Sequence, residues 1–346
     1  MNFIMGWAQI YVVMNNMVYK VGILGLKGHQ NVVLNSIPKM DDVVLAAVAD
    51  DSEEALMNVK DHPAVSSVTR FYRSIERLLE EERIDVACVS GTDGERARVL
   101  LKCIEMGIHI LSEKPLTTTL EELEEVKRAY KSSSVTLSML LTMRFEESYR
   151  KIREVVTSGL IGEVCLANAQ KSYKLGRRPD WQKSHRTFSS TLAFIGVHMV
   201  DLIRWCTGRE FTEVMAYQSN VGHPEVNEME DNAVMILKMD NGGSACIHLD
   251  YCRPIKAPTH GDDLLRIAGN LGVIETYEQG SKVRLITHES IIEDLPLGKP
   301  ADEFMNFMNA VKGVEDCEVP AEDCFRATEI VLKARESSEI GRPVKL

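Results

Sequence analysis

The sequence predicts an α/β protein in two parts: a doubly wound parallel sheet, then an α+β region with a mostly antiparallel sheet. Three observations carry this reading. From Val18 to about residue 141, apolar runs of strand length alternate with helix-length segments, and continuous apolar strands separated by helices imply a parallel sheet covered on both faces. After residue 141, strand-like segments follow one another closely, broken by Asn-Gly-Gly and Gly-Asn turns, the pattern of antiparallel neighbours. At 346 residues, 45% of them hydrophobic, the chain has room for two cored domains at roughly 100 to 200 residues each.

The elements follow in order. VYKVGILGL (18–26) reads as a first strand and NVVLNSIPKM (31–40) as a helix entered through a glycine turn; VVLAAVADD (43–51) is a second strand and SEEALMNVKD (52–61) its helix. IDVACVSG (84–91), HILSEK (109–114) and SVTLSMLL (134–141) are further strands, separated by helices in ERARVLLKCIEMG (95–107) and TLEELEEVKRAYK (119–131). A charged helix within 141–164 opens the second part, followed by VCLANAQKSYK (164–174) and a loop rich in Arg, Trp and His (175–190). TLAFIGVHMVDLIRWCTG (191–208) reads as one helix closed by Gly208. Strands are expected in 212–220, 232–239, 243–251, 264–277 and 282–289, with closing helices in 303–313 and 322–341. The domains are therefore placed at 18–141 and 142–346.

A net charge of −11 with no basic run makes nucleic acid and anionic membrane poor partners. The eight cysteines form no C-x-x-C pair and sit mostly in apolar segments, as expected of reduced thiols in a cytoplasmic protein with no metal cage. Residues 1–17 are apolar but lack a basic start and a small-residue cleavage site. They read as an N-terminal extension, neither a signal peptide nor a membrane span.

Chemistry concentrates in three places. In ILSEKPL (110–116) a buried-strand run ends in Glu113 and Lys114 before Pro115, and ligands of parallel sheets bind at the carboxyl ends of strands. At the first strand-helix turn, Gly25 keeps the first glycine of a dinucleotide loop, Lys27 and Gln30 replace the second and third, and Gly28 is added. Alone this fits an ordinary glycine turn equally well. Asp50 at the end of the second strand adds a coupled signal, because an acid there accepts from a ribose 2′-hydroxyl and repels a 2′-phosphate; together they favour NAD over NADP, and Lys27 is placed to reach a pyrophosphate. Third, His198 and Asp201 share one stripe of the 191–208 helix with Phe194 and Trp205, which displays a base to a cleft or simply buries a histidine bonded to its helical neighbour.

VGILGLKGH, VADD, EKP at 113–115, MRFEESYRKIREVVTSGLIGEV and GVHMVDLIRWCTG, with its G-x-H-x-x-D core, occur in an order and spacing similar to those of the Gfo/Idh/MocA oxidoreductase family. The resemblance runs from Val18 to the carboxyl end. It implies a Rossmann domain joined to an α+β domain whose open sheet makes homodimer or homotetramer contacts, and NAD(P)-dependent chemistry on a sugar, cyclitol or related polyol. It also implies roles. The cofactor would be held by Gly25, Lys27, Gly28, His29, Asp50, Ser90, Gly91, Thr92 and Glu113. Lys114 would hold the substrate oxygen beside the nicotinamide, with a cis Lys114–Pro115 bond open to that turn, and His198 would be the acid/base. Arg144, Tyr173, Trp181 and His185, with Arg177 and Arg186, are the loop candidates for substrate contact.

One departure stands out. Polyol dehydrogenases of the family carry an aspartate four positions before the histidine, D-x-G-x-H, and here that position is Phe194. Asp201 takes over as orienting group, or His198 works unpaired, or the chemistry differs. Two other functions therefore remain in view: a redox-neutral NAD-dependent glycosidase or lyase, and a nucleotide-sensing regulator, against which the intact Lys114 and His198 argue.

Overall fold

Strand β1 (Tyr19–Leu24) buries its last four residues completely because it runs through the middle of the first sheet, between β2 (Val43–Ala49) and β4 (Val86–Val89). The computed structural model describes residues 18–346; the expected extension at 1–17 lies outside the described residues. With β3 (Arg70–Tyr72), β5 (His109–Ser112) and β6 (Leu137–Met139) the order is β3-β2-β1-β4-β5-β6, every pair parallel. Helices α1 (Gln30–Ser36), α2 (Glu53–Val59), α3 (Ile75–Glu81), α4 (Asp93–Glu105) and α5 (Leu120–Lys131) make the crossovers. The order reverses between β1 and β4, and such a switch opens a crevice at the strands' carboxyl ends.

Several elements differ from the sequence reading. The helix expected over 31–40 ends at Ser36 and tightens to a 3-10 turn over Ile37–Lys39 around Pro38, since proline has no N–H to continue the ladder. β3 and α3 have no counterpart in the reading: Arg-Phe-Tyr is short and part-exposed, with no period to detect. The charged helix begins later, as a 3-10 turn Thr142–Phe145 followed by α6 (Glu147–Thr157).

The second sheet comprises β7 (Val164–Tyr173), β8 (Phe211–Ser219), β9 (Asn232–Met239), β10 (Ser244–Asp250), β11 (Gly261–Gly269), β12 (Gly272–Tyr277), β13 (Lys282–Thr287), β14 (Ile291–Ile292) and β15 (Val344–Lys345). Their order is β14-β13-β12-β11-β7-β10-β9-β8-β15, antiparallel except for the β7–β10 pair. The single helix expected over 191–208 is two, α7 (Thr191–Phe194) and α8 (Gly196–Thr207), broken at Ile195. α8 is buried at every residue from Gly196 to Cys206, because β7, β10, α6 and the long α10 (Ala321–Ile340) enclose it. Helix α9 (Glu303–Val311) returns to the first sheet, burying Phe304, Phe307 and Met308 with Val33, Leu34 and Leu111. Among the described residues no helix is long and apolar enough to cross a membrane.

Candidate active site

The turn after β1 is shaped for close backbone approach. Gly25 has φ +99°, and a Cβ there would lie 2.5 Å from the Gly91 nitrogen, so only glycine lets the β1 and β4 ends meet. Ser90, Gly91 and Thr92 follow β4 directly; Ser90 Oγ lies 3.2 Å from Gln30 Oε1, and the Gly91 carbonyl accepts from Arg96 at 3.3 Å. Asp50, at the end of β2, is buried and accepts from the backbone N–H of Leu26 at 2.7 Å and of Ser52 at 2.8 Å. Its neighbour Asp51 is exposed and pairs with Lys27 Nζ at 2.6 Å. A glycine floor flanked by an acidic side chain at the second strand's end fits a dinucleotide.

At the end of β5, Glu113 turns back into that loop. Its Oε1 accepts from the His29 backbone N–H and lies 2.7 Å from His29 Nδ1; a Cβ on Gly28 would collide with it at 2.2 Å. Burial works against its charge, but the His29 ring and the Lys114 ammonium hold the Glu113 carboxyl far below its ordinary range. The Lys114–Pro115 bond is cis. Lys114 is 2% exposed; its Nζ donates to the Phe194 carbonyl at 3.1 Å and sits 3.4 Å from the centroid of the Phe194 ring. Burial pulls its pKa down to about 8.

His198 projects from α8 to the same place, its ring edge-on to His29 with centroids 6.3 Å apart. Its Nδ1 is enclosed and has no hydrogen-bond partner. Burial first, then the charges of Lys171, Lys114 and His29, hold its pKa well below the usual imidazole value.

Two sequence assignments change here. Asp201 does not reach His198: its carboxylate takes both Nε (2.8 Å) and Nη2 of Arg144. Arg144, expected to touch substrate, is 1% exposed, and its remaining donors go to the Glu318 carbonyl at 2.7 Å and Asp323 at 2.8 Å. Three residues along a helix, Asp201 looks past His198 to the opposite wall, so the pair shared a stripe without sharing a partner. Of the other candidates, Tyr173 and Trp181 lie beside the site and His185 pairs elsewhere. Tyr173 stacks on His260 with centroids 5.1 Å apart; Trp181 packs edge-on against Phe188 and Phe194; His185 Nε2 lies 2.9 Å from Glu230, whose carboxylate raises its pKa.

The sequence reading missed Lys171. It is 3% exposed, 2.5 Å from Asp263 Oδ2 and 5.0 Å from the Tyr173 ring centroid. The signal was present: Ala167, Ala169 and Lys171 occupy the covered phase of β7, and a lysine on a core-facing phase needs a reason to be there.

A buried lysine and a histidine with an unpartnered Nδ1 beside a glycine-floored strand end form an arrangement that suits a dinucleotide-dependent oxidoreductase. Comparison with known proteins agrees. Residues 19–141 match the oxidoreductase family with NAD-binding Rossmann fold, and residues 149–275 match the GFO/IDH/MocA C-terminal domain. The chain belongs to the Gfo/Idh/MocA oxidoreductase family. It is 24% identical over 340 residues to the myo-inositol 2-dehydrogenase of Thermotoga maritima, covering 94% of this chain and 98% of that one. To the scyllo-inositol 2-dehydrogenase (NADP(+)) of Bacillus subtilis it is 26% identical over 185 residues, 53% of this chain and 50% of that one. A solved oxidoreductase structure from Thermotoga maritima superposes with a TM-score of 0.90 at 30% identity, covering 94% of this chain and all of that one.

Proposed function

We propose that the protein is an NAD-dependent dehydrogenase or reductase acting at a CH–OH centre of a sugar, cyclitol or related polyol. The observation that carries this is the meeting of Lys114 and His198, both buried and both free of carboxylate partners among the described residues, at the carboxyl edge of the first sheet. Bound NAD supplies the hydride acceptor or donor. The chain's own groups do the rest. Lys114, an ammonium below about pH 8, binds the substrate oxygen and stabilises negative charge on it where water is excluded. His198, kept neutral by burial, takes the hydroxyl proton or returns it. Asp50 has lone pairs left after its two backbone bonds and selects a ribose hydroxyl over a phosphate, which favours NAD over NADP. The inositol dehydrogenase relatives support the polyol reading. Incubation with NAD and a panel of polyols should accumulate reduced nicotinamide; turnover of glycosides without any net change in nicotinamide absorbance would replace this reading with the redox-neutral one.

We also infer a homo-oligomer through the second sheet. Tyr217 and Ile236 are 58% and 57% exposed on its uncovered face, and the register sets Met215, Ile236 and Cys246 in one row across β8, β9 and β10, an apolar strip of the kind another copy covers.

A further inference from the structure

Among the described residues, one buried cation stands apart from the others. Among the described residues five lysines and arginines are buried: Arg96, Lys114, Arg144, Lys171 and Arg204. Four hold a carboxylate: Arg96 with Asp93 at 2.8 Å, Arg144 with Asp201, Lys171 with Asp263 and Arg204 with Glu210, each of the last three at 2.5 Å. Lys114 holds none. Its Nζ contacts only the Phe194 carbonyl and the face of the Phe194 ring, while Glu113 and Asp93 act on it without direct contact, Glu113 spending Oε1 on His29 and Oε2 on the Lys114 backbone N–H. A ring face offsets part of the cost of burying an ammonium, but a buried charge without a counter-ion is one of the most expensive arrangements a fold can keep.

A second observation points the same way. The charges acting on His198 are those of Lys171, Lys114 and His29, with no carboxylate among them. The position that the D-x-G-x-H pattern gives to an aspartate carries a phenyl ring. On the cleft side of Lys114 no carboxylate of the described residues stands within salt-bridge distance, so a negative charge in direct contact must come from outside the chain.

We infer that the substrate brings that charge: the site takes a hydroxy acid of the sugar-acid class, with its carboxylate next to the reacting hydroxyl and within reach of Lys114. The inference rests on the oxidoreductase reading for the reacting hydroxyl, and narrows it from polyols to polyols bearing a carboxylate. One ammonium with two N–H groups left after the Phe194 carbonyl matches a monoanionic carboxylate. A phosphate ester, close to a dianion, calls for a second cation, and the nearest candidate, Lys171, is already committed to Asp263.

The test uses matched probes. Protein loaded with NADH is titrated with gluconate against glucitol and with tartrate against threitol, following the fluorescence of the tryptophans; Trp181, packed on Phe194, reports on the site. The acids should bind roughly tenfold or more tightly than the matched polyols, the scale of one charge-assisted contact. Lys114→Met should erase the difference, Lys114→Arg should keep most of it, and Phe194→Asp, which builds an internal counter-ion, should weaken the acids more than the matched polyols and so narrow the ratio between them. Equal binding of acids and polyols, survival of the preference in Lys114→Met, or stronger binding of glucitol 6-phosphate than of gluconate would each overturn the inference. Failure to bind NADH would refute the oxidoreductase reading instead, and the same titrations without NADH would still decide the question of charge.

Discussion

Lys114→Met should make the protein more stable and nearly inactive. Burial takes the Lys114 pKa from 10.5 to about 8, and at 1.36 kcal/mol per tenfold this is about 3 kcal/mol by which the folded state disfavours the ammonium. Methionine fills much of the same space without the charge, but leaves the Phe194 carbonyl without its donor, a loss of about 1 kcal/mol. The balance is about 2 kcal/mol in favour of the variant at pH 7. The pH dependence has a definite sign. Between pH 8 and 10.5 the unfolded chain still holds the proton that the folded protein has released, so wild-type stability rises through that window. The variant has no such group, and its advantage, full below pH 8, shrinks toward pH 10.5. Urea unfolding followed by tryptophan fluorescence at neutral and alkaline pH measures both quantities, while turnover should fall roughly 10²-fold. A variant less stable than wild type at pH 7, or a stability gap that ignores pH, would refute the unpaired buried ammonium.

Asp50→Ser should narrow the preference for NAD(H) over NADP(H) in a binding titration, and equal affinities in the wild type would remove the role given to Asp50. Asp201→Asn should destabilise the fold by roughly 1 to 3 kcal/mol, because Arg144 loses one of its two carboxylates and keeps Asp323, while the pH profile of the remaining activity stays where it was; a displaced profile would restore Asp201 as the group orienting His198. Tyr217→Glu places a charge in the uncovered face of the second sheet and should lower the mass found by light scattering without lowering NADH affinity.

Periodicity made most of the first sheet legible. Its strands are buried on both faces, so each appears as an unbroken apolar run, and only β3, three part-exposed residues, escaped. Lys114 and Glu113 were legible for the complementary reason: charges at the end of such a run have nowhere to go except a cleft. What the sequence hid was partnership. Arg144 in a loop-like stretch looked available, yet it closes a network with Asp201 and Asp323, residues 57 and 179 positions away, and no local pattern encodes so distant a pairing. Lys171 was hidden by a different error, since a strand read only for its apolar alternation invites no question about which phase its lysine occupies.

On the proposed mechanism, the exchange of aspartate for Phe194 moves the centre of the chemistry from the histidine to the lysine. A carboxylate beside His198 would raise its pKa and make it a stronger base; the ring does neither, and the surrounding cations weaken the imidazole further. What the ring provides is a seat for the Lys114 ammonium, itself backed by Trp181 and Phe188. A weak base suffices where the hydroxyl it faces is acidified by a fixed ammonium, so the proposed mechanism calls for neutral His198 and charged Lys114 together. Activity should hold from well below pH 6.5 up to about 8, where Lys114 loses its proton. Phe194→Asp should shift both limits upward, the acid limb because His198 gains a carboxylate and the alkaline limb because Lys114 gains a counter-ion. Measured pH profiles of kcat/KM in the two proteins decide the matter: an alkaline limb that stays in place would mean that Phe194 does not set the state of Lys114.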